Sequence, residues 1–180
     1  MGLLGNVAEV PNLRHKLMTQ AFVTEFAMLL DSSLDGIEVS YNAAGVLAHM
    51  ASDGPETWNI EEPTREDVLS RMVKAIESWR LNTKRNINYR SFEPIIRLLR
   101  VSHTPQCQYW AVWALANLTQ VDSDKYCSLV EQEGGLVLLE EIINSNVPIL
   151  PYQRVIELAS AVRDNVTKSK ERKRSKSEDR

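Results

Sequence analysis

Asn6 and Glu9 lie one helical turn apart, so a helix through them presents an amide and a carboxylate on one face. The amide both donates and accepts, while the ionised carboxylate only accepts. Together they suit a cation, and a merely solvated glutamate is the plainer reading of Glu9. The context of Asn6 recurs along the chain as Leu4-Gly5-Asn6-Val7, Leu47-Ala48-His49-Met50 and Leu115-Ala116-Asn117-Leu118, with key positions 43 and 68 residues apart. An Asn amide facing a groove can hold an extended peptide by its backbone without reading its side chains. Each such residue is equally readable as a cap or a satisfied buried amide. One turn beyond His49 and Asn117 stand Ser52 and Gln120, so only the first of the three positions pairs its amide with a carboxylate. Trp113, one turn before Asn117, reads as a groove platform or as core, and Trp58, Trp79 and Trp110 read as core.

Other chemistry finds little support. No nucleophile–histidine–acid set and no glycine-rich phosphate loop can be assembled, which argues against an enzyme. Cys107 and Cys127 have no CxxC neighbour and read as small apolar core residues. His15, His49 and His103 are scattered with no cysteine at ligand spacing, so neither a metal nor another cofactor is expected. A net charge of -3 gives no global attraction to nucleic acid or anionic lipid, and binding to nucleic acid is not expected. No stretch approaches the roughly 18 apolar residues of a membrane span, and the N-terminus lacks a basic region followed by an apolar one. The expectation is a protein of the cytoplasm, the nucleus or both. The sequons at Asn117 and Asn165 are read as chance for the same reason.

The elements that must position these residues are helices. Apolar residues recur at helical spacing almost throughout, without alternating runs bounded by hairpin turns. The expected segments are Phe22–Leu30, Val39–Met50, Thr64–Trp79, a short helix after Phe92, a helix opened by Thr104-Pro105, two helices separated by Gly134-Gly135, and Tyr152–Val166. Pro55 ends the second of these, since it lacks the donor that continuation needs. Thr64 with Asp67 three residues on reads as a capping pair. Residues 167–180, TKSKERKRSKSEDR, contain no apolar side chain and are expected to be disordered. They read as a nuclear-localisation or polyanion-binding tail, or as a solvated end.

Short helices that cannot bury an apolar face alone suggest stacked repeats. The order Trp113-Ala-Leu-Ala-Asn117-Leu and then Glu133-Gly-Gly-Leu136 with Leu139 resembles the armadillo repeat. The implied fold is all-α, an armadillo-like right-handed solenoid over residues 1–166, opening on the third helix of a partial repeat, with about three repeats after it. The 43-residue interval is one armadillo period of about 42 residues, and an insertion near 54–80 accounts for the longer one. A basic tail over 167–180 completes it.

The strings MGLLGNVAEV, GIEVSYNAAGVL, DGPE and NINYRSFEPI and the DKYC–EGG stretch make the resemblance closer. From residue 1 to about 145 they resemble the C-terminal armadillo-like region of the zyg eleven homologs, with the Zer-one proteins as more distant relatives. Members of that family are substrate receptors of ubiquitin ligases built on cullin two with elongins B and C. The resemblance implies a clamp for proteins with an unblocked N-terminal glycine, and Asn6 and Glu9 match an Asn and a Glu of the family's pocket. That pocket also uses a Trp-Asn pair and an Asp from the preceding repeat, and this sequence begins after them. The alternative is an armadillo scaffold that binds extended peptides through Asn6, His49 and Asn117 with no N-terminal preference.

Overall fold

The computed structural model describes residues 2–145 and 152–178. Ten α-helices are seen there and no strand, an all-α fold of packed short helices. They are α1 (Gly2–Glu9), α2 (Pro11–Arg14), α3 (Gln20–Leu29), α4 (Glu38–Ala51), α5 (Arg65–Ser78), α6 (Glu93–Leu99), α7 (Pro105–Val121), α8 (Ser123–Gln132), α9 (Gly135–Ile143) and α10 (Tyr152–Glu178). The helices form two compact units. The first comprises Met1–Trp79 with Val101–Trp110, the second Arg80–Arg100 with Ala111–Arg180.

In the first unit α4 is the centre, packed by α1, α3 and α5. It is buried on all sides from Ser40 to Ala51 except at Asn42, as expected of a helix whose apolar surface is not confined to one stripe. Small residues make this possible. A Cβ on Gly45 would stand 2.6 Å from Cζ2 of Trp110, so the glycine lets that indole close on the helix. The indole N–H donates to the Tyr41 carbonyl at 3.2 Å, and the two rings lie 5.2 Å apart. Arg65 closes the C-terminal end of α4 by donating to the Ala51 carbonyl at 2.9 Å, a carbonyl left without a helical partner. The expected capping pair is present. Thr64 accepts from the Asp67 backbone N–H at 3.1 Å and donates to its carboxylate at 2.7 Å. Gly54 at φ +100 makes the break before Pro55, and residues 54–80 carry one short 3-10 turn, Pro55–Thr57, and α5.

In the second unit α9 packs against α6, α8 and α10, and α10 also covers α8. Gly134 adopts the left-handed conformation at φ +78 that separates α8 from α9, a region that favours glycine. A Cβ on Gly135 would lie 3.0 Å from the Val130 carbonyl oxygen, which keeps this second glycine small. Trp79 and Trp110 are core as expected, whereas Trp58, also expected in the core, is half-buried.

One expectation is corrected. Residues 167–178 are not a disordered tail: α10 runs on to Glu178. Lys, Arg and Glu are good helix formers, and a helix already anchored through Val155, Leu158, Val162 and Val166 has no nucleation cost left to meet. Ser169 is still buried, and Lys170 pairs with Glu131 at 2.6 Å. Asp179 and Arg180 lie outside the described residues.

Candidate functional site

The two residues with the clearest chemistry sit on α1. Asn6 is exposed, and Glu9 is half-buried in the helix's last turn. Between them Ala8 is fully buried, because α1 packs on α4 through that side. The pair therefore shares the outward side of a short helix whose inward side is fixed.

What fixes it is Arg14, a residue that sequence reasoning missed. Its side chain is only 3% exposed, an unusual place for a guanidinium. Nε donates to the Ala8 carbonyl at 2.7 Å and one terminal nitrogen to the Glu9 carbonyl at 3.4 Å, taking up carbonyls at the C-terminal end of α1. The other terminal nitrogen pairs with the Asp53 carboxylate and donates to the Ser52 hydroxyl at 3.3 Å. Arg14 thus ties the end of α1, where Glu9 stands, to the end of α4. A planar fork of donors can do this where a lysine cannot.

The other candidates divide. Ser52 is occupied within the fold, donating to the His49 carbonyl at 2.7 Å besides accepting from Arg14. His49 is 3% exposed, with its ring edge-on to Trp110 at 6.4 Å, so the reading of it as a groove residue is corrected: it packs in the core of the first unit. In the second unit Trp113 is buried, which settles core over platform. Asn117 is fully buried and its amide is engaged within the chain. Nδ2 donates to the Leu81 and Thr83 carbonyls at 2.9 and 2.8 Å, and Oδ1 accepts from Arg85 at 3.2 Å. It holds a peptide backbone, as an armadillo asparagine would, but the backbone is its own. Gln120 is exposed.

Neither cysteine is poised to react. Burial pushes the Cys107 thiol up to about 12, against a smaller opposing pull from Arg65 and Arg14, and its Sγ donates to the Ala48 carbonyl. Burial also raises Cys127. Among the described residues no cluster of His, Cys, Asp and Glu could hold a metal ion, and no helix is long and apolar enough to cross a membrane.

Comparison with known proteins places the chain in a family. The family described as protein zer-1 homolog-like, C-terminal domain, matches residues 1–168. The chain is 54% identical to the Drosophila melanogaster protein zer-1 homolog over 186 residues, covering 88% of this chain and 24% of that protein. It is 59% identical to the human protein zer-1 homolog over 143 residues, 79% of this chain and 19% of that one. It is 48% identical to the Caenorhabditis elegans Zyg eleven-related protein 1 over 177 residues, 98% of this chain and 19% of that one. Both expected names occur, with the higher identities to zer-1 homologs, and the match runs past residue 145 into α10. The chain thus spans about a fifth to a quarter of the length of these relatives.

Proposed function

The chain belongs to the zer-1 homolog-like family, and from that premise we propose that it is the substrate-recognition region of a ubiquitin-ligase receptor, which captures proteins by an unblocked N-terminal glycine. It is a binding region and performs no catalysis. The observation that carries this reading is the exposed Asn6 beside the half-buried Glu9, on a helix end locked by Arg14. A free α-amine, with a usual pKa of about 7.7–8.0, is mostly protonated at neutral pH and offers three donors. Glu9 supplies the opposite charge and Asn6 a carbonyl oxygen, and charge-assisted bonds of this type are the stronger kind. Glycine is then selected by walls that leave no room for a side chain on its α-carbon. In the full-length protein the partners of this reading are cullin two and elongins B and C, in the cytoplasm or nucleus.

The scaffold alternative needs open asparagine rungs. Of the three positions it uses, His49 is buried in the core of the first unit, which breaks the row and favours the terminal-amine reading.

Calorimetric titration with a glycine-starting peptide tests it, using this chain and a longer one that includes the preceding repeat. Glu9→Gln keeps the shape and removes the charge, and losing one partner of a buried charge pair costs about 2–5 kcal/mol, with a neutral amide expected near the lower end. Acetylating the peptide should cost a similar amount, and the two changes should not add, because once the amine is blocked Glu9 has little left to lose. Additive losses, or indifference to acetylation in the longer chain, would remove Glu9 from the amine and leave the scaffold reading in its place.

A further inference from the structure

The connection from α5 to α6 has no regular structure, yet exposure alternates along it. Leu81, Thr83, Arg85, Ile87 and Tyr89 are half-buried, while Asn82, Lys84, Asn86, Asn88 and Arg90 are exposed. A period of two marks extended backbone laid on a surface by one side. Every outward residue is Asn, Lys or Arg.

The surface beneath is formed by α7 from Ala111 onward and by α8, all in the second unit, and it grips main chain more than side chain. Asn117 donates to the carbonyls of Leu81 and Thr83. The Tyr126 hydroxyl accepts from the Tyr89 backbone N–H at 3.3 Å and donates to the Ile87 carbonyl at 3.4 Å. Lys125 holds the Asn88 side chain. At the far end the Glu133 carboxylate accepts from the Phe92 backbone N–H at 2.7 Å and from the Ser91 hydroxyl at 3.1 Å. Backbone-directed bonds with alternate side chains facing the surface are the way an extended peptide is bound in trans.

Two facts about burial set the groove apart from an ordinary connection. No residue from Arg80 to Ser91 is fully buried, and the outward half of the strap is exposed, so it is held by backbone hydrogen bonds and by one side only. Asn117 beneath it is fully buried, and its amide would be left without partners in a dry site if the strap left and nothing replaced it. The surface therefore demands a peptide backbone, and the present one covers it by one side only.

We infer that the α7–α8 face of the second unit is a binding groove for an extended peptide, filled in cis by residues 81–91 acting as a tethered ligand. The peptides that replace it are extended and outwardly polar, with small polar, basic, aliphatic and aromatic side chains taking the inward positions in turn. This site is separate from the Asn6–Glu9 pair and does not depend on it.

The probe is a fluorescent synthetic peptide of residues 80–92, titrated by anisotropy onto the full chain. Ile87→Ser with Tyr89→Ser loosens the tether without touching the groove, and should tighten binding of the free peptide at least tenfold over the wild-type chain. Adding Asn117→Ala should abolish that gain. A loosened chain that stays folded and binds the peptide no better than wild type overturns the inference. Should the double variant fail to fold, hydrogen exchange of the wild-type chain decides. Amides 84–89 should exchange at least a hundredfold faster than amides 112–118, and equal protection would make the strap a fixed part of the core and end the proposal.

Discussion

At Glu9 and Arg14 a carboxylate proposed for a ligand and a guanidinium bound within the fold sit five residues apart on successive helices, Arg14 giving its donors to the Ala8 and Glu9 carbonyls, to Ser52 and to Asp53. Asn6 and Glu9 were legible in the sequence because spacing alone puts them on one face. Arg14 was not, since an arginine in a polar stretch reads as solvated until its partners 38 and 39 residues away are known. His49 failed in the other direction: its register matched Asn6, but the Gly45 gap brings Trp110 over it. Cys107 carries a prediction at this scale. Its folded thiol holds its proton to about pH 12, whereas an unfolded thiol titrates near about 8.5. Below about pH 8.5 both states keep the proton and the contribution to stability is complete; above it only the unfolded chain ionises, so the contribution is lost as pH rises toward 12. Between pH 7 and pH 10 the wild-type chain should lose about 2 kcal/mol more than Cys107→Ala, which has no such proton. Urea denaturation of both proteins at the two pH values checks this, and equal losses would mean that the thiol is hydrated.

Among the elements, α4 shows how closely helices are allowed to approach. Gly to Ala inside a helix ordinarily gains about 1 kcal/mol from propensity. At Gly45 the new methyl would meet the Trp110 ring at 2.6 Å, and that ring is held by its bond to the Tyr41 carbonyl. Forcing extra volume into a packed site costs about 1–3 kcal/mol, so the net effect of Gly45→Ala should be a loss. Denaturant unfolding measures it, and Trp110→Phe in the same chain should recover part of the loss by opening the space. A stabilised Gly45→Ala protein would show that the indole moves aside freely. The helices themselves were legible where apolar spacing, caps and glycines agreed, as at Thr64, Thr104-Pro105 and Gly134-Gly135. The end of α10 was not, because a helix continued past its last apolar anchor by Lys, Arg and Glu leaves no apolar period to detect. The strap over Asn117 was hidden for a related reason. Its alternation is of half-buried against exposed polar residues, and polarity alone does not show which side is covered.

For the molecule as a whole, charge is divided unevenly. The last thirteen residues carry seven basic and three acidic groups, so the preceding 167 carry seven more acidic groups than basic ones although the net charge is only -3. A ligand recognised by a protonated amine approaches a body of opposite sign, with a basic helix end attached to it. Fields of this kind act on association rates more than on affinity, and they fade beyond a Debye length of about 10 Å at 0.1 M salt. If the terminal-amine reading holds, neutralising Lys168, Arg172 and Lys176 to glutamine leaves the helix formers in place and makes the body's field more negative. Association of a glycine-starting peptide, followed by stopped-flow fluorescence at about 0.02 M salt, should then speed up by a factor of about two to five, with dissociation unchanged. At about 0.5 M salt the difference should vanish, because screening removes the field but leaves Glu9 in contact with the amine. The acetylated peptide, lacking the charge, should show no such dependence on the basic helix end. A rate insensitive to these substitutions at low salt would mean that the amine is captured by local contacts alone, and the uneven charge would need some other explanation.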